Sequence, residues 1–263
     1  MKKVLTIVLL ITFSVFGYSQ ILKKEIPDKL VALTFDDGCE SQYSVVAPLL
    51  KKFGFNATFF MCEFPPNYKD STMYMTWAKV KKLSEDGFEI GNHTLSHSKI
   101  NQIAKHEVIE EIKAIEYKCD SVGIIKPQSF AYPAYRLNAT SLEILKGLGY
   151  KYARAGGNRA YSPIVDHPYL IPSWTMKSDN RDDIRKAFHE AKNGNIVVIT
   201  VHGVPDIEHP WVNTPPKLFE EHLQYLSDNG FKVISIRDLD YYINADEALK
   251  NITPNLNKRL KGD

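Results

Sequence analysis

Short apolar runs alternate along this chain with stretches of helical periodicity, and that rhythm sets the expected architecture. Residues 30–35, 57–61, 88–91, 129–133, 150–155, 169–174, 196–201 and 231–236 read as strands. Between them, 41–53, 76–86, 107–119, 141–148, 181–192 and 216–229 read as helices. Ser41 and Thr76 stand where N-caps belong, and Gly54 and Gly87 where helices stop. Strand followed by helix throughout argues for a parallel sheet wrapped by helices, an α/β fold in one domain spanning 20–250.

Several strands end in groups that packing does not ask for. The first runs into Thr34-Phe35-Asp36-Asp37-Gly38. Successive strand side chains point to opposite faces, so both acids reach one pocket only if the chain breaks there, and Gly38 permits a break. Two carboxylates sharing a site repel unless a cation lies between them, and an ion held by one leaves the other free as a base. The strand at 88–91 delivers His93 and His97, whose i, i+4 spacing puts two imidazoles on one side of a helical turn. Histidine with carboxylate is the set that suits zinc. Zinc proteases share the spacing but need a glutamate directly after the first histidine, where Thr94 stands. His202 closes the apolar run 196–201 just before Gly203. Singly, these are an ordinary Asp-Asp-Gly turn, surface histidines and a core histidine. Together they occupy the carboxyl ends of strands, where β/α barrels gather their chemistry.

In order and spacing these segments resemble the polysaccharide deacetylases of carbohydrate esterase family 4, the NodB-homology group, over about residues 30–239. The family's first motif reads TFDDG and its second H(S/T)xxH, both met here letter for letter, and its last is a histidine closing an apolar strand. The resemblance implies a distorted (β/α)7-type barrel. It assigns the metal to Asp37, His93 and His97, the general base to Asp36 and the general acid to His202. The ion would be Zn2+ or another divalent metal such as Co2+, Ni2+ or Mn2+, and would lower the pKa of a water it holds.

The family's third motif carries an arginine that pairs with the base, but here the segment is Phe130-Ala131-Tyr132-Pro133-Ala134-Tyr135, with Ala131 at that position. Arg136 and Arg154 are the candidates to replace it. Tyr132, Pro133 and Ala134 are expected at the substrate, with the backbone N–H near Ala134 as an oxyanion donor. For the fourth motif, Trp174 is the expected wall of the acetyl pocket, and Asp166 and Asp179 compete to orient His202. The loop after His202 either lays Trp211 against a sugar ring or tucks it inward, with His209 at the rim. The implied activity is N-deacetylation of a GlcNAc-containing glycan. The alternatives are an O-acetyl esterase of xylan type and a glycan-binding relative that lost catalysis with the arginine.

Composition narrows the setting. The 263 residues, 44% of them hydrophobic, suffice for one large core, and a net charge of +2 without basic blocks gives no footing for nucleic acid. Met1-Lys2-Lys3 followed by the apolar run 4–16 reads as a signal peptide over 1–19, cleaved near Ser19 or Gln20, which implies a secreted or periplasmic protein. That run is shorter than the roughly 20 residues a stable membrane span needs. Cys39, Cys62 and Cys119 cannot all pair within one chain; Cys39 and Cys62 are either neighbours or simply buried thiols. From 251 to 263 the chain turns polar and basic.

Overall fold

The computed structural model describes residues 21–257, so the expected signal segment and the last residues of the polar tail lie outside it. Eight strands are found among the described residues: β1 (Leu30–Phe35), β2 (Thr58–Met61), β3 (Glu89–Asn92), β4 (Ser129–Ala131), β5 (Tyr152–Arg154), β6 (Trp174–Thr175), β7 (Val197–Val201) and β8 (Lys232–Ile234). Seven of them follow a continuous path, β5-β4-β3-β2-β1-β7-β6, and β8 joins β1 off that path. All the named pairings are parallel. The helices are α1 (Ala47–Phe53), α2 (Trp77–Glu85), α3 (Lys105–Ser121), α4 (Ala139–Gly147), α5 (Arg181–Phe188), α6 (Pro216–Asp228) and α7 (Ala245–Asn251). The result is a curled, helix-wrapped half-barrel in a single domain, the expected (β/α)7 type.

β1 is the axis of the sheet. Its first half pairs with β8, its second half with β2 on the same edge, and its other edge with β7 along five residues. Period-two alternation then sorts the side chains. Val31, Leu33 and Phe35, with Val197, Ile199 and Val201 of β7, join the core under the helices. Leu30 and Ala32, with Ile196 and Val198, enter the core on the concave side. Thr34, Asp36, Thr200 and His202 continue the same concave rows toward the carboxyl ends, and there the apolar filling gives way to polar groups.

The elements differ from expectation in places with local causes. The helix expected over 41–53 begins as a π-helical turn, Gln42–Val46, before α1. The strand expected at 169–174 shrinks to the bridge between Arg154 and Ile171 and the two residues of β6. Pro168 precedes that stretch and Pro172 interrupts it, and neither has an N–H to give a ladder. α3 starts at Lys105 because the Glu107 carboxylate accepts from Ala104 N at 2.7 Å. The three cysteines are free and buried. Among the described residues no helix is long and apolar enough to cross a membrane.

Candidate active site

Asp36 is still in the ladder, its N–H donating to Val201 O at 2.9 Å. The break comes one residue on. Asp37 itself is left-handed at φ 70, followed by Gly38 at φ 65, so the turn expected of the glycine is shared by the acid. A Cβ at Gly38 would lie 2.6 Å from Met61 Cε, the movable end of a flexible side chain, so the positive φ is the stronger demand for glycine. The two carboxylates are thereby brought to one cavity.

His93 leaves β3 with its N–H on Met61 O at 3.0 Å. The expectation that His93 and His97 share a helical turn is wrong: the segment is a bent loop, with Thr94 at φ 62 and His97 at φ 53. Those two left-handed residues fold the loop so that the rings still meet, with centroids 4.9 Å apart. Five of the eight non-glycine residues with positive φ among those described, Asp37, Thr94, His97, Ala134 and Tyr135, lie in or beside this cavity. Backbone strain of that kind is held where surrounding structure over-determines it.

Asp37, His93 and His97 offer ligand atoms all within 4.8 Å of one another. Both imidazole Nε2 atoms stand 3.5 Å from Asp37 Oδ1. That oxygen is buried without a hydrogen-bond partner among the described residues. His93 Nδ1 donates to Ala131 O at 2.8 Å, which turns the Nε2 lone pair toward the cluster. An orphaned carboxylate oxygen facing two oriented imidazoles fits a divalent ion, and a three-residue set leaves room for other ligands. The charges agree. Burial pushes the Asp37 carboxyl up, but the surrounding imidazoles of His93, His202 and His97 more than offset this, leaving it well below the usual carboxylate range. Burial and the neighbouring His93 hold His97 down at about 4, so it is neutral near pH 7. Burial opposes protonation of His93, but Asp36 and Asp37 outweigh it and raise its value.

Asp36 faces a different cation. Arg154, with no exposed surface, donates from Nη2 to Asp36 Oδ2 and from Nη1 to Thr200 Oγ1 at 2.8 Å. Ala131 and Arg154 are register partners on β4 and β5. The guanidinium is thus displaced one strand sideways, and the small side chain at Ala131 leaves space for it. Between the two candidates, Arg154 makes the contact with Asp36.

His202 Nε2 lies 3.9 Å from Asp37 Oδ2. The two aspartates expected to orient His202 are placed elsewhere. Asp166 is held by a bidentate pair with Arg159, and Asp179 lies at the surface beside Lys177. His202 Nδ1 is buried without a partner among the described residues. The carboxylate that organises this region is Asp206, which sequence reasoning missed. It accepts from Gly203 N at 3.1 Å and His209 N at 2.8 Å, and its Oδ1 stands 3.3 Å from His209 Nδ1.

These groups share a cavity of about 460 Å³, within the range of small-molecule sites. It is lined by Asp36, Asp37, His93, His97 and His202, and also by Tyr132, Ala134, His209 and Trp211. Pro133 is buried in the turn behind Ala134 and does not line it. Trp174 is not a wall: its indole N–H donates to Glu190 at 3.3 Å and its ring packs on the helix-side core. One residue along β6 the alternation reverses, and Thr175 lines the cavity instead. Trp211 is 69% exposed at the mouth, edge-on to His209, so the tucked alternative does not hold. Phe64, Tyr135, Lys177 and Val212 complete the lining, unforeseen because nothing in their local sequence marks them.

The chain matches the family model described as polysaccharide deacetylase over residues 23–153. It is 29% identical over 233 residues to a peptidoglycan-N-acetylglucosamine deacetylase of Bacillus cereus, a match covering 83% of this chain and 92% of that one. A chitin deacetylase of Pestalotiopsis sp is 30% identical over 124 residues, 47% of this chain and 40% of that enzyme, so the chain spans less than half of that relative's length. The solved structure of PdaA from Bacillus subtilis, a family 4 carbohydrate esterase, shares the fold with a TM-score of 0.58 at 20% identity, covering 88% of each chain.

Proposed function

We propose that this chain, which belongs to the polysaccharide deacetylases of carbohydrate esterase family 4, removes N-acetyl groups from a GlcNAc-containing glycan with a divalent ion at Asp37, His93 and His97. The observation that carries this reading is the meeting of three arrangements in one cavity: the Asp37-His93-His97 trio, the Asp36–Arg154 pair and His202. When bound, the ion supplies an acidified water and a Lewis acid for the acetyl oxygen. Asp36, paired with the Arg154 guanidinium, accepts the proton of the attacking water. His202 gives a proton to the departing sugar nitrogen, a step an amide needs more than an ester does because the amine is the poorer leaving group. Tyr132, Ala134 and Trp211 stand along the cavity where the sugar must lie. The ground for a non-catalytic reading is the missing arginine at Ala131, and the Arg154–Asp36 contact supports the catalytic reading over it.

Export to the periplasm or the exterior belongs to the same reading. It rests on the basic and then apolar start of the chain; a mature protein still beginning at Met1 in mass spectra of the extracytoplasmic fraction contradicts it.

The activity is tested by acetate release from chitin oligomers and from acetylxylan, each with and without chelator. Release from the oligomers that stops in chelator and returns with a divalent ion is the expected result. Release confined to acetylxylan replaces the amide reading with the ester one, and release untouched by chelator removes the ion from the mechanism.

A further inference from the structure

Asp36 and His202 leave the sheet from neighbouring strands, and the bond from Asp36 N to Val201 O at 2.9 Å is where the β1–β7 ladder ends. Past it the backbones part, one into the left-handed turn at Asp37 and Gly38, the other into the loop beginning at Gly203. The carbonyls of Asp36 and His202 thus sit at two diverging ends. Gln42 Nε2 donates to both, at 2.5 Å to Asp36 O and 3.3 Å to His202 O. An amide NH2 has two hydrogens, one for each carbonyl, so this side chain supplies a rung the ladder lacks.

Gln42 has no exposed surface, and its own Oε1 is buried without a partner among the described residues. Such an unmatched acceptor carries a desolvation cost that an apolar side chain of the same length would not incur. Packing alone therefore does not call for an amide here. The residue opens the π-helical turn Gln42–Val46, a distortion that often accompanies functional positions. Its neighbour Ser41 grips the same loop, donating to Pro205 O at 2.9 Å and accepting from Val204 N at 2.8 Å.

We propose that Gln42 is a positioning residue whose amide fixes the spacing between Asp36 and His202 by tying their two carbonyls together. This rests on reading those residues as base and acid. A proton donor and acceptor on separate strands act on one substrate only if their separation is held, and a misplacement of about 1 Å is worth up to about a hundredfold in rate.

The test uses the full metal-loaded chain with Gln42→Met, which keeps length and removes both donors, and Gln42→Asn, whose shorter amide reaches at most one carbonyl. On chitin oligomers kcat should fall by about tenfold to a hundredfold in Gln42→Met and by less in Gln42→Asn, with KM and metal affinity within about twofold of the parent. Crystal structures should show the Asp36–His202 separation wider in Gln42→Met than in the parent. A folded Gln42→Met protein that keeps parental kcat, or whose separation equals the parent's, overturns the proposal. So does a loss that falls on KM or metal affinity in place of kcat. If Gln42→Met does not fold, the same criteria apply to Gln42→Asn. A parent chain that releases no acetate sinks the base and acid reading instead, and the measured separations still decide whether Gln42 is the tie.

Discussion

Arg154 sets the condition under which Asp36 can work, because a buried carboxylate this close to Asp37 needs a cation of its own. Arg154→Met should abolish measurable acetate release, or reduce it by at least about a hundredfold, and destabilise the fold by about 3–5 kcal/mol through the unpaired buried charge it leaves. Arg154→Lys should not rescue either property. One ammonium does not reproduce a planar fork that bonds Asp36 from one nitrogen and Thr200 from the other. Acetate assays with thermal melts check both, and a lysine variant with parental kcat would show that charge alone is enough. Trp211 makes the opposite case. Being mostly exposed, it should leave the melt unchanged on Trp211→Ala, while KM for oligomers rises about two- to tenfold from the lost ring face. An unchanged KM would take Trp211 out of sugar binding. The contrast with the sequence lies at this scale too. Asp36, Asp37, His93 and His97 could be singled out because two short motifs, each ordinary alone, occur together in the order and spacing of the family pattern. Arg154 was one of two candidates, since its role depends on lying across the sheet from Ala131, and a single chain does not spell out cross-strand register.

β3 has no Cβ at Gly91 because the Phe60 ring of β2 occupies the place where one would stand, with Cδ1 at 2.3 Å and Cε1 at 2.5 Å. Phe60 is fully buried in the concave core and has no free end to swing away. Gly91→Ala must therefore push β3 from β2, at a cost of about 1–3 kcal/mol. His93 follows Gly91 by two residues and shares the motion, so zinc affinity measured by calorimetry should drop by at least about tenfold while the melt falls by several degrees. Parental affinity in a destabilised variant would mean the histidine loop is positioned independently of the strand. Elements were readable where burial makes a strand continuously apolar, as in β1 and β7, whose six and five residues are all buried. They were misread where backbone chemistry overrode pattern. Prolines at 168 and 172 reduced an apolar stretch to a single bridge, and the i, i+4 spacing of His93 and His97 was met by a left-handed loop.

Over the whole molecule, three depressed histidines favour a loss of stability in mild acid, against which the raised His93 and His209 act. Burial holds His97, His167 and His222 each at about 4, against an ordinary value of 6.5. A histidine depressed on folding binds fewer protons folded than unfolded. Its contribution is therefore complete above the unfolded value near 6.5 and is lost as pH falls toward about 4. The melting temperature of the metal-free chain should accordingly drop by more than about 5 °C between pH 7 and pH 5. His167→Gln and His222→Gln together should flatten that slope, because glutamine takes up no proton. A divalent ion acts on the same balance from the other side. An ion held by the candidate Asp37-His93-His97 cluster would bind the folded state alone, so saturation at about a hundred times the dissociation constant should add about 2.7 kcal/mol, or roughly 5–10 °C, at pH 7. His97 is already neutral there, whereas the two aspartates raise His93 above its ordinary value, so any proton its Nε2 carries must leave before that nitrogen serves as a ligand. Zinc titrations in buffers of different ionisation enthalpy should thus show proton release on binding, and the thermal gain should shrink as pH falls through the raised His93 value. A metal-induced shift that is the same at pH 5 and pH 7 would place the ion on groups other than these imidazoles.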